Sequence, residues 1–390
     1  MVKILLLVGN YLPGFKSGGA LRSTVNMVNR LGDEFEFWII TSDRDSGDED
    51  TYSNIILKEW NLIGNAKVYY VSPEDRSIDS ITNIINNTEH DILYLNSFFD
   101  PTFTIFPLLS RRIGKLKSKP VILASRGEFA KGALSLKKWK KICYILLAKI
   151  LGLYRNILWQ ASSEFEANDI RKIMKRFNPE IVTAPNIPKY LNSLNYNDVK
   201  TRNLSEPLKI CFLGRISPVK NLDYALHVLT KVKKPILFNI YGPMEDNHYW
   251  NECLNIIKLL PSFVIVNYKG SIENTAVATM LSEHDLFFLP TKGENFGHVI
   301  LESMSSGTPI LISNTTPWRN LEKYGVGWDI SLKSPDAFTA AIEQAASIDQ
   351  KDYKKFRISV REYAERFAND ISILDKSRKL FMNALGRKNA

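Results

Sequence analysis

Residues 290–312 read PTKGENFGHVILESMSSGTPILI, and the folding of this stretch decides how the chain is built. The preceding DLFFL (285–289) is a short apolar run bounded by turn residues, which predicts a buried strand. Residues 291–297 follow as a loop, where Gly293 and Gly297 allow unusual backbone angles or the close approach of a ligand. From His298 the spacing of Val299, Ile300 and Met304 predicts a short helix, which Ser306-Gly307 ahead of Pro309 brings to a stop. The apolar ILI at 310–312 then returns as a strand. Strand, loop, helix and strand in this order form the repeating unit of a parallel sheet.

The chemistry of the stretch lies in Glu294 and Glu302, which have seven residues between them. Glu294 falls on the loop and Glu302 about one turn into the helix. Eight helical residues cover about 12 Å, so the two carboxylates suit the ends of one elongated ligand rather than a tight acid pair. An ionised carboxylate accepts two hydroxyl hydrogen bonds at once, and sugars and riboses present paired hydroxyls. Between the two, the amides of residues 295–298 open the helix and favour an anion. Hydroxyls, phosphate and hydroxyls outline a nucleotide-sugar. A solvated loop Glu294 and a solvent-facing Glu302 would fit the same spacing.

The frame around this stretch is that of a large globular protein. Its 390 residues suggest two domains, and 45% hydrophobic with 24% charged residues is ordinary globular composition. The 51 Lys and Arg against 41 Asp and Glu give a net charge of +10, which favours anionic partners. Cys143, Cys211 and Cys253 are too few and too scattered for a disulfide framework or zinc site, which suggests a reducing compartment. No uncharged apolar run reaches transmembrane length, and residues 4–8 read as a first strand rather than a signal-peptide core.

In chain order, apolar strands at 4–8, 35–41, 68–71, 92–96, 121–125, 157–161 and 181–184 alternate with helical patterns. Ser163-Glu-Phe-Glu166 has the spacing of a capping box. The Asn-, Pro- and Ser-rich stretch 185–207 lacks apolar period, which sets a first domain at 1–186 and a linker at 187–207. Strands at 208–213, 236–241, 264–268, 286–289 and 310–312 then repeat the plan through a second domain at 208–370. Residues 352–387 read as one or two closing helices. The fold class expected is α/β, with two doubly wound Rossmann-like domains facing across a cleft and the ligand at their strand ends.

Other loops add charge and backbone. Gly214-Arg215-Ile-Ser-Pro-Val-Lys220-Asn221 puts two cations five residues apart on a strand-to-helix turn, suited to stabilising a departing diphosphate or else simply solvated. Gly14 to Gly19 lies between the first strand and helix with neither the dinucleotide nor the P-loop spacing, yet Gly18-Gly19 offers bare N–H groups to a phosphate. Asp43-Arg-Asp45 has the oxygen ligands Mg or Mn prefer, although a solvated acidic loop is the simpler expectation and no metal cofactor is expected. The five histidines lack metal-ligand spacing, no G-x-S-x-G is present, and nucleic-acid binding would need stacking aromatics on a basic sheet face.

Taken together, GRISPVKN (214–221), GENFGHVILESMSSGTP (293–309) and the early GG loop resemble family-4 retaining glycosyltransferases of the GT-B fold. The resemblance covers essentially the whole chain in order, and its specific motifs are C-terminal. It implies a nucleotide-sugar donor, UDP-linked by family frequency, transferred without metal to a glycan or lipid-linked acceptor in cell-surface polysaccharide or glycolipid assembly. It assigns Arg215 and Lys220 to the diphosphate, Glu294 and the backbone of Asn295, Phe296 and Gly297 to the sugar, and Glu302 to the ribose. Gly214 and the turns at Gly242 and at Ser271-Ile272 complete the donor side. Gly18 and Gly19 would approach donor phosphate or acceptor from the other domain. The resemblance also implies a final helix, 371–390, that crosses back onto the first domain.

One departure concerns the strand at 121–125. Many relatives carry a histidine after it, whereas here the loop reads SRGEFAKG, with Arg126 and Glu128 in that neighbourhood. The expected reaction proceeds on one face of the sugar, with the leaving phosphate oxygen taking the acceptor proton, and needs no protein base. Asn96, Arg126 and Glu128 are the acceptor-side candidates; an Arg126–Glu128 loop salt bridge is the plainer alternative. Two other functions fit the sequence, a nucleotide-sugar epimerase on the same plan and a catalytically inactive nucleotide-sugar-binding module.

Residues 131–159 contain Lys131, Lys137, Lys138, Lys140, Lys141, Lys149 and Arg155 and no acid. A core helix would explain Leu146, Leu147 and Ile150, but not Lys137-Lys138-Trp139-Lys140-Lys141, which reads either as a solvated basic helix start or, with the apolar residues, as a surface that docks on an anionic membrane from the cytoplasmic side. Arg111, Arg112, Lys115, Lys117 and Lys119 are expected to extend that basic surface.

Overall fold

A computed structural model describes residues 1–135, 137–191 and 201–387. Residues 192–200 of the expected linker and 388–390 of the expected closing helix lie outside the described residues. The chain divides into two compact units, Met1–Lys189 with Asp370–Ala390, and Tyr190–Asn369.

The first unit runs β1 (Val2–Leu7), α1 (Gly19–Leu31), β2 (Phe35–Ser42), β3 (Trp60–Ile63), β4 (Ala66–Val71), α2 (Ile78–Asn87), β5 (Ile92–Leu95) and α3 (Phe106–Arg112). It continues with β6 (Val121–Ala124), α4 (Lys131–Ser135), α5 (Lys138–Leu151), β7 (Leu158–Ala161), α6 (Glu164–Met174) and β8 (Glu180–Thr183). The strands lie in the order β3-β4-β2-β1-β5-β6-β7-β8, parallel except for the β3–β4 pair. Strands covered on both faces bury every residue, and β5, β6 and β7 are continuous apolar or paired runs for that reason.

The sequence reading did not include β3. Its signal was present as Gly64-Asn65, a two-residue turn with Gly64 at φ 57° that returns Ile63 antiparallel to Ala66. Trp60 of β3 meets Trp38 at 4.6 Å and Tyr69 at 5.4 Å between ring centres. The expected capping box of α6 forms by half. Ser163 Oγ accepts from the Glu166 amide at 3.3 Å, but the Glu166 carboxylate accepts from the Ser162 amide and hydroxyl instead of the cap residue's own N–H.

The second unit runs β9 (Leu208–Leu213), α7 (Leu222–Leu229), β10 (Ile236–Tyr241), α8 (Asn247–Ile257), β11 (Val264–Tyr268), α9 (Asn274–Ser282) and β12 (Leu286–Leu289). Then come α10 (His298–Ser305), β13 (Ile310–Ser313), β14 (Gly327–Ile330), α11 (Pro335–Ser347) and α12 (Gln350–Ala368). Its parallel strands lie in the order β11-β10-β9-β12-β13-β14. In this doubly wound order the direction of winding reverses between β9 and β12, and ligands of such sheets bind beyond the strand ends at that switch point. The edge strand β14 was also outside the sequence reading: GWDI is short and half polar, and becomes a strand only by pairing with Ile310–Ser313.

The chain turns between α12 and α13 (Ile371–Gly386), where Asp370 caps α13 by accepting from the Ser372 amide. The last helix belongs to the first unit. Phe381 lies 5.0 Å from Phe35 and 6.3 Å from Tyr94, and Arg378 pairs with Glu34 at 2.6 Å.

Inside the second unit, buried Arg357 ties α12 to the sheet. It donates to the carbonyls of His284 at 2.8 Å, Ser282 at 2.9 Å and Ser306 at 3.3 Å, and to the Tyr353 hydroxyl at 3.0 Å. Each buried carbonyl deprived of its donor costs about 1–3 kcal/mol. Arg357→Met therefore destabilises the full chain by about 3 kcal/mol, and Arg357→Lys recovers only part of this; denaturant midpoints read by circular dichroism check it.

Candidate functional site

Both motif loops of the second unit emerge at the switch point, because β9 and β12 are neighbours in the sheet. The loop after β9 and the loop after β12 are tied together by backbone and side chain. The Lys292 amide donates to the Val219 carbonyl at 2.8 Å, and the Thr291 hydroxyl reaches the same carbonyl at 3.1 Å. Asn221 precedes α7 in the left-handed conformation, φ 64°, and its side-chain amide donates to the Pro290 carbonyl at 2.9 Å, while its side chain accepts no capping bond from the α7 amides. Ser313 and Thr315 hydroxyls donate to the Thr291 carbonyl at 2.5 and 2.7 Å, fixing the loop from the β13 side as well.

Lys220 and Glu294 meet on this scaffold. The Nζ–Oε1 distance is 2.5 Å, with the side chains 17% and 12% exposed. Two opposite charges largely removed from water attract more strongly than a surface pair, and each fixes the other's rotamer. Arg215, on the same turn, takes a different carboxylate: Nη1 lies 2.9 Å from Glu245 Oε1 on the loop after β10, and both side chains are exposed. The two cations are thus not held on one partner. Glu245 was not among the expected site residues, and only the β9–β10 pairing brings it to Arg215.

Glycine shapes the neighbouring strand ends. A Cβ on Gly242, φ 137°, would lie 1.9 Å from the Gly214 carbonyl oxygen, so only glycine fits there. A Cβ on Gly214 would make only ordinary contact with the Lys220 stem, at 3.5 Å. The Gly242 amide donates to the Gly270 carbonyl at 2.8 Å, which sets the turn carrying exposed Ser271 and partly buried Ile272. Gly297 adopts φ 77° and starts α10. Phe296 before it is buried, its carbonyl accepting from the Trp318 indole at 2.6 Å and its ring 4.6 Å from His298. Asn295 is half-buried, and Glu302 is half-buried on the fifth residue of α10 with one carboxylate oxygen shut from solvent.

In the first unit, Gly18 at φ 63° stands at the N-terminus of α1, which begins at Gly19, and a Cβ there would meet nothing within 4 Å. The loop ahead of it is held by Asp45, whose carboxylate accepts from the amides of Phe15 at 2.6 Å and Lys16 at 2.9 Å. Burial works to raise the Asp43 carboxyl, but hydrogen bonds from Arg44 and Ser72 hold it below the usual range. Both carboxylates thus have work inside the fold, and among the described residues no cluster of His, Cys, Asp and Glu has the makings of a metal site.

The plainer alternative for the acceptor-side candidates, an Arg126–Glu128 salt bridge, does not form. Arg126, at φ 51°, donates to Asn96 Oδ1 at 2.5 Å, to Tyr94 Oη at 3.0 Å and to Asn186, instead of pairing with Glu128. Asn96 is buried, and its other end donates to the Thr24 hydroxyl at 3.0 Å. Glu128 accepts from the amides of Phe98 at 2.5 Å and Phe99 at 3.2 Å and from the Ser97 hydroxyl at 2.9 Å. Burial pushes its carboxyl above the usual range despite these donors. Asn96 and Glu128 shape the loops beyond β5 and β6. Glu166, expected only as part of a capping box, also accepts from Ser125 at 2.8 Å and the Gly127 amide at 2.6 Å and so pins the loop that carries Arg126.

Comparison with known proteins bears on this geometry. Residues 197–366 match the family model described as Glycosyl transferases group 1. An uncharacterized 41.2 kDa protein in the cps region of Klebsiella pneumoniae is 24% identical over 255 residues, 61% of this chain and 66% of that protein. The O-antigen biosynthesis glycosyltransferase WclY of Escherichia coli is 24% identical over 161 residues, 40% of this chain and 44% of its own length. The matches therefore span less than two thirds of these relatives. Among solved structures, a sucrose-phosphate synthase from Thermosynechococcus elongatus superposes with a TM-score of 0.71 at 13% identity, covering 99% of this chain and 100% of that one. HepE from Anabaena, in complex with UDP and glucose, gives 0.65 at 14% identity, covering 98% and 100%. At these identities the structural likeness is one of fold. Residues 197–366 thus resemble Glycosyl transferases group 1, and the two units, each built on a largely parallel sheet, have the GT-B glycosyltransferase fold.

Proposed function

We propose that this protein is a retaining, metal-independent glycosyltransferase that moves a sugar from a UDP-sugar to a saccharide or polyprenyl-linked acceptor in capsule or O-antigen assembly. The observation that carries the reading is the Lys220–Glu294 pair at the β9–β12 switch point, formed by the two motif loops of the group 1 domain. Support for the donor comes from HepE, a fold neighbour with UDP and glucose bound, and for the biological setting from WclY and the cps-region protein.

In this reading Lys220 places its charge on the diphosphate oxygen that becomes the leaving group, while Glu294 accepts from hydroxyls of the transferred sugar. Arg215 swings from exposed Glu245 to the outer phosphate, a small step for a surface pair worth about 1 kcal/mol or less. The start of α10 directs its N-terminal dipole at the same anion, and Glu302 takes the ribose hydroxyls. The sugar–phosphate bond breaks as the acceptor oxygen bonds to the anomeric carbon on the same face, and the acceptor proton passes to the departing phosphate. Fixed positive charge beside a departing anion contributes about 10²–10³ in rate per group. Transfer of labelled sugar from UDP-sugars to an added acceptor tests the reading: an epimerised free nucleotide-sugar identifies an epimerase, and donor binding without turnover a binding module.

Glu302→Gln weakens UDP by about 1.5–3 kcal/mol, whereas Glu294→Gln leaves UDP binding nearly intact and lowers turnover. Calorimetry with UDP alone separates them, and two variants that both bind like the parent overturn the ribose assignment. Lys220→Met lowers kcat by about 10²–10³. Because Lys220 and Glu294 are in contact, the double variant loses less than the sum of the single losses, which steady-state kinetics read directly.

Transfer persists in excess EDTA, since Lys220, Arg215 and the start of α10 already balance the leaving diphosphate. Activity abolished by EDTA and restored by Mg or Mn would return attention to Asp43 and Asp45.

A further inference from the structure

The side of α5 turned from the sheet is apolar and uncovered. Among its residues only Ile145 and Ala148 are buried. Trp139 is 78% exposed, Ile150 75%, and Leu146 and Leu147 55% each. The core-helix expectation for Leu146, Leu147 and Ile150 therefore fails, because Phe98, Phe129, Tyr154 and Trp159 already fill the space beneath α5 with rings in mutual contact.

At about 100° per residue, Trp139, Cys143, Leu146 and Ile150 fall within one arc opposite the buried side. Lys138 and Lys149 border this arc on one flank and Lys140 on the other. Exposed Lys137 stands at the helix start. At the far end, Arg112 donates to the Leu151 carbonyl at 2.8 Å, and Ile113 beside it in sequence is exposed. Not every expected basic residue contributes. Lys141 turns inward, donating to the Ala133 carbonyl at 2.7 Å and lying 5.0 Å from the Phe99 ring, and burial lowers its pKa. Lys115 is paired with Asp79 at 2.8 Å, and Lys117 donates to the Asn86 carbonyl at 3.2 Å.

Soluble proteins seldom leave a contiguous ridge of Trp and large aliphatic side chains in water. A second copy of the chain is a poor occupant, because two such faces would bring lysines against lysines with no acid between residues 131 and 159 to offset them. Anionic headgroups over an acyl layer match both features, with Trp favoured at the boundary. The 14 residues of α5 extend about 21 Å, short of a bilayer's apolar thickness, and among the described residues no helix is long and apolar enough to cross a membrane.

We propose that α5 lies in the plane of an anionic leaflet, its Trp139–Ile150 ridge sunk to the acyl boundary and Lys137, Lys138 and Lys140 on the headgroup phosphates. The inference rests on the lipid-linked acceptor of the proposed function for its purpose, but is tested on lipid alone. The full chain should co-sediment with phosphatidylcholine vesicles containing phosphatidylglycerol, release in high salt, and ignore pure phosphatidylcholine. Lys137→Glu/Lys138→Glu/Lys140→Glu should bind at least about a hundredfold more weakly. Trp139→Ser/Leu146→Ser/Ile150→Ser should also lose binding, with the melting temperature and UDP affinity of both variants unchanged because all six side chains are exposed. Equal binding to both vesicle types, no binding to either, or a concentration-dependent dimer abolished by the serine variant would overturn the proposal. A parent chain that binds vesicles but not UDP would overturn the donor reading and leave this one standing.

Discussion

A lysine and a glutamate separated by 74 positions in sequence meet at 2.5 Å because two strands are neighbours in a sheet. The second unit depends on this constraint. Desolvating two charges costs several kcal/mol, and their attraction repays it only with good geometry, so the pair is a poor device for stability. Its value is positional. The loops around it are locked by Thr291, Asn221, Ser313 and Thr315, none of them charged, each satisfying a buried carbonyl that would otherwise be stranded. The charges are held by that neutral lattice rather than holding it.

The first unit solves a related problem with buried acids. Glu128 and Glu166 each receive backbone amides and hydroxyls from loops beyond the strand ends. A carboxylate has two oxygens and no donor, so it gathers several N–H groups that a loop cannot pair internally. The loops that present Arg126 and the Phe98 region are thereby fixed from inside, and Asp45 does the same for the turn before Gly18. Acids in such loops look catalytic in a sequence. Here their oxygens are turned toward the chain.

The treatment of apolar residues separates α5 from the other helices. In α7 and α10 the apolar positions enter the core, as amphipathic spacing predicts. In α5 the same kind of residue is left outside, since β5, β6 and β7 and a cluster of aromatic rings have already closed the space below. Composition alone cannot tell a helix that fills a core from one that has no core left to fill.

Much of the architecture was legible in the sequence because its physical signals are local. Apolar runs bounded by turns marked β9 to β12 to the residue: β9, β10 and β12 lie inside the sheet with little polar alternation to blur them, and the half-exposed edge strand β11 is apolar enough to read the same way. Glycine and proline punctuated α10, and the motif carboxylates fell on the loop and helix expected. Edge strands β3 and β14 were missed because their pairing, rather than their composition, makes them strands. The partners of charged groups were not legible either. Arg126 chose Asn96, Asn186 and Tyr94 over the acid two residues away, and Arg215 chose Glu245 over Glu294. Spacing along a chain fixes which residues share an element, while the sheet order decides which elements touch. Partner choice among charges follows from that second decision, so only the tertiary structure could make it.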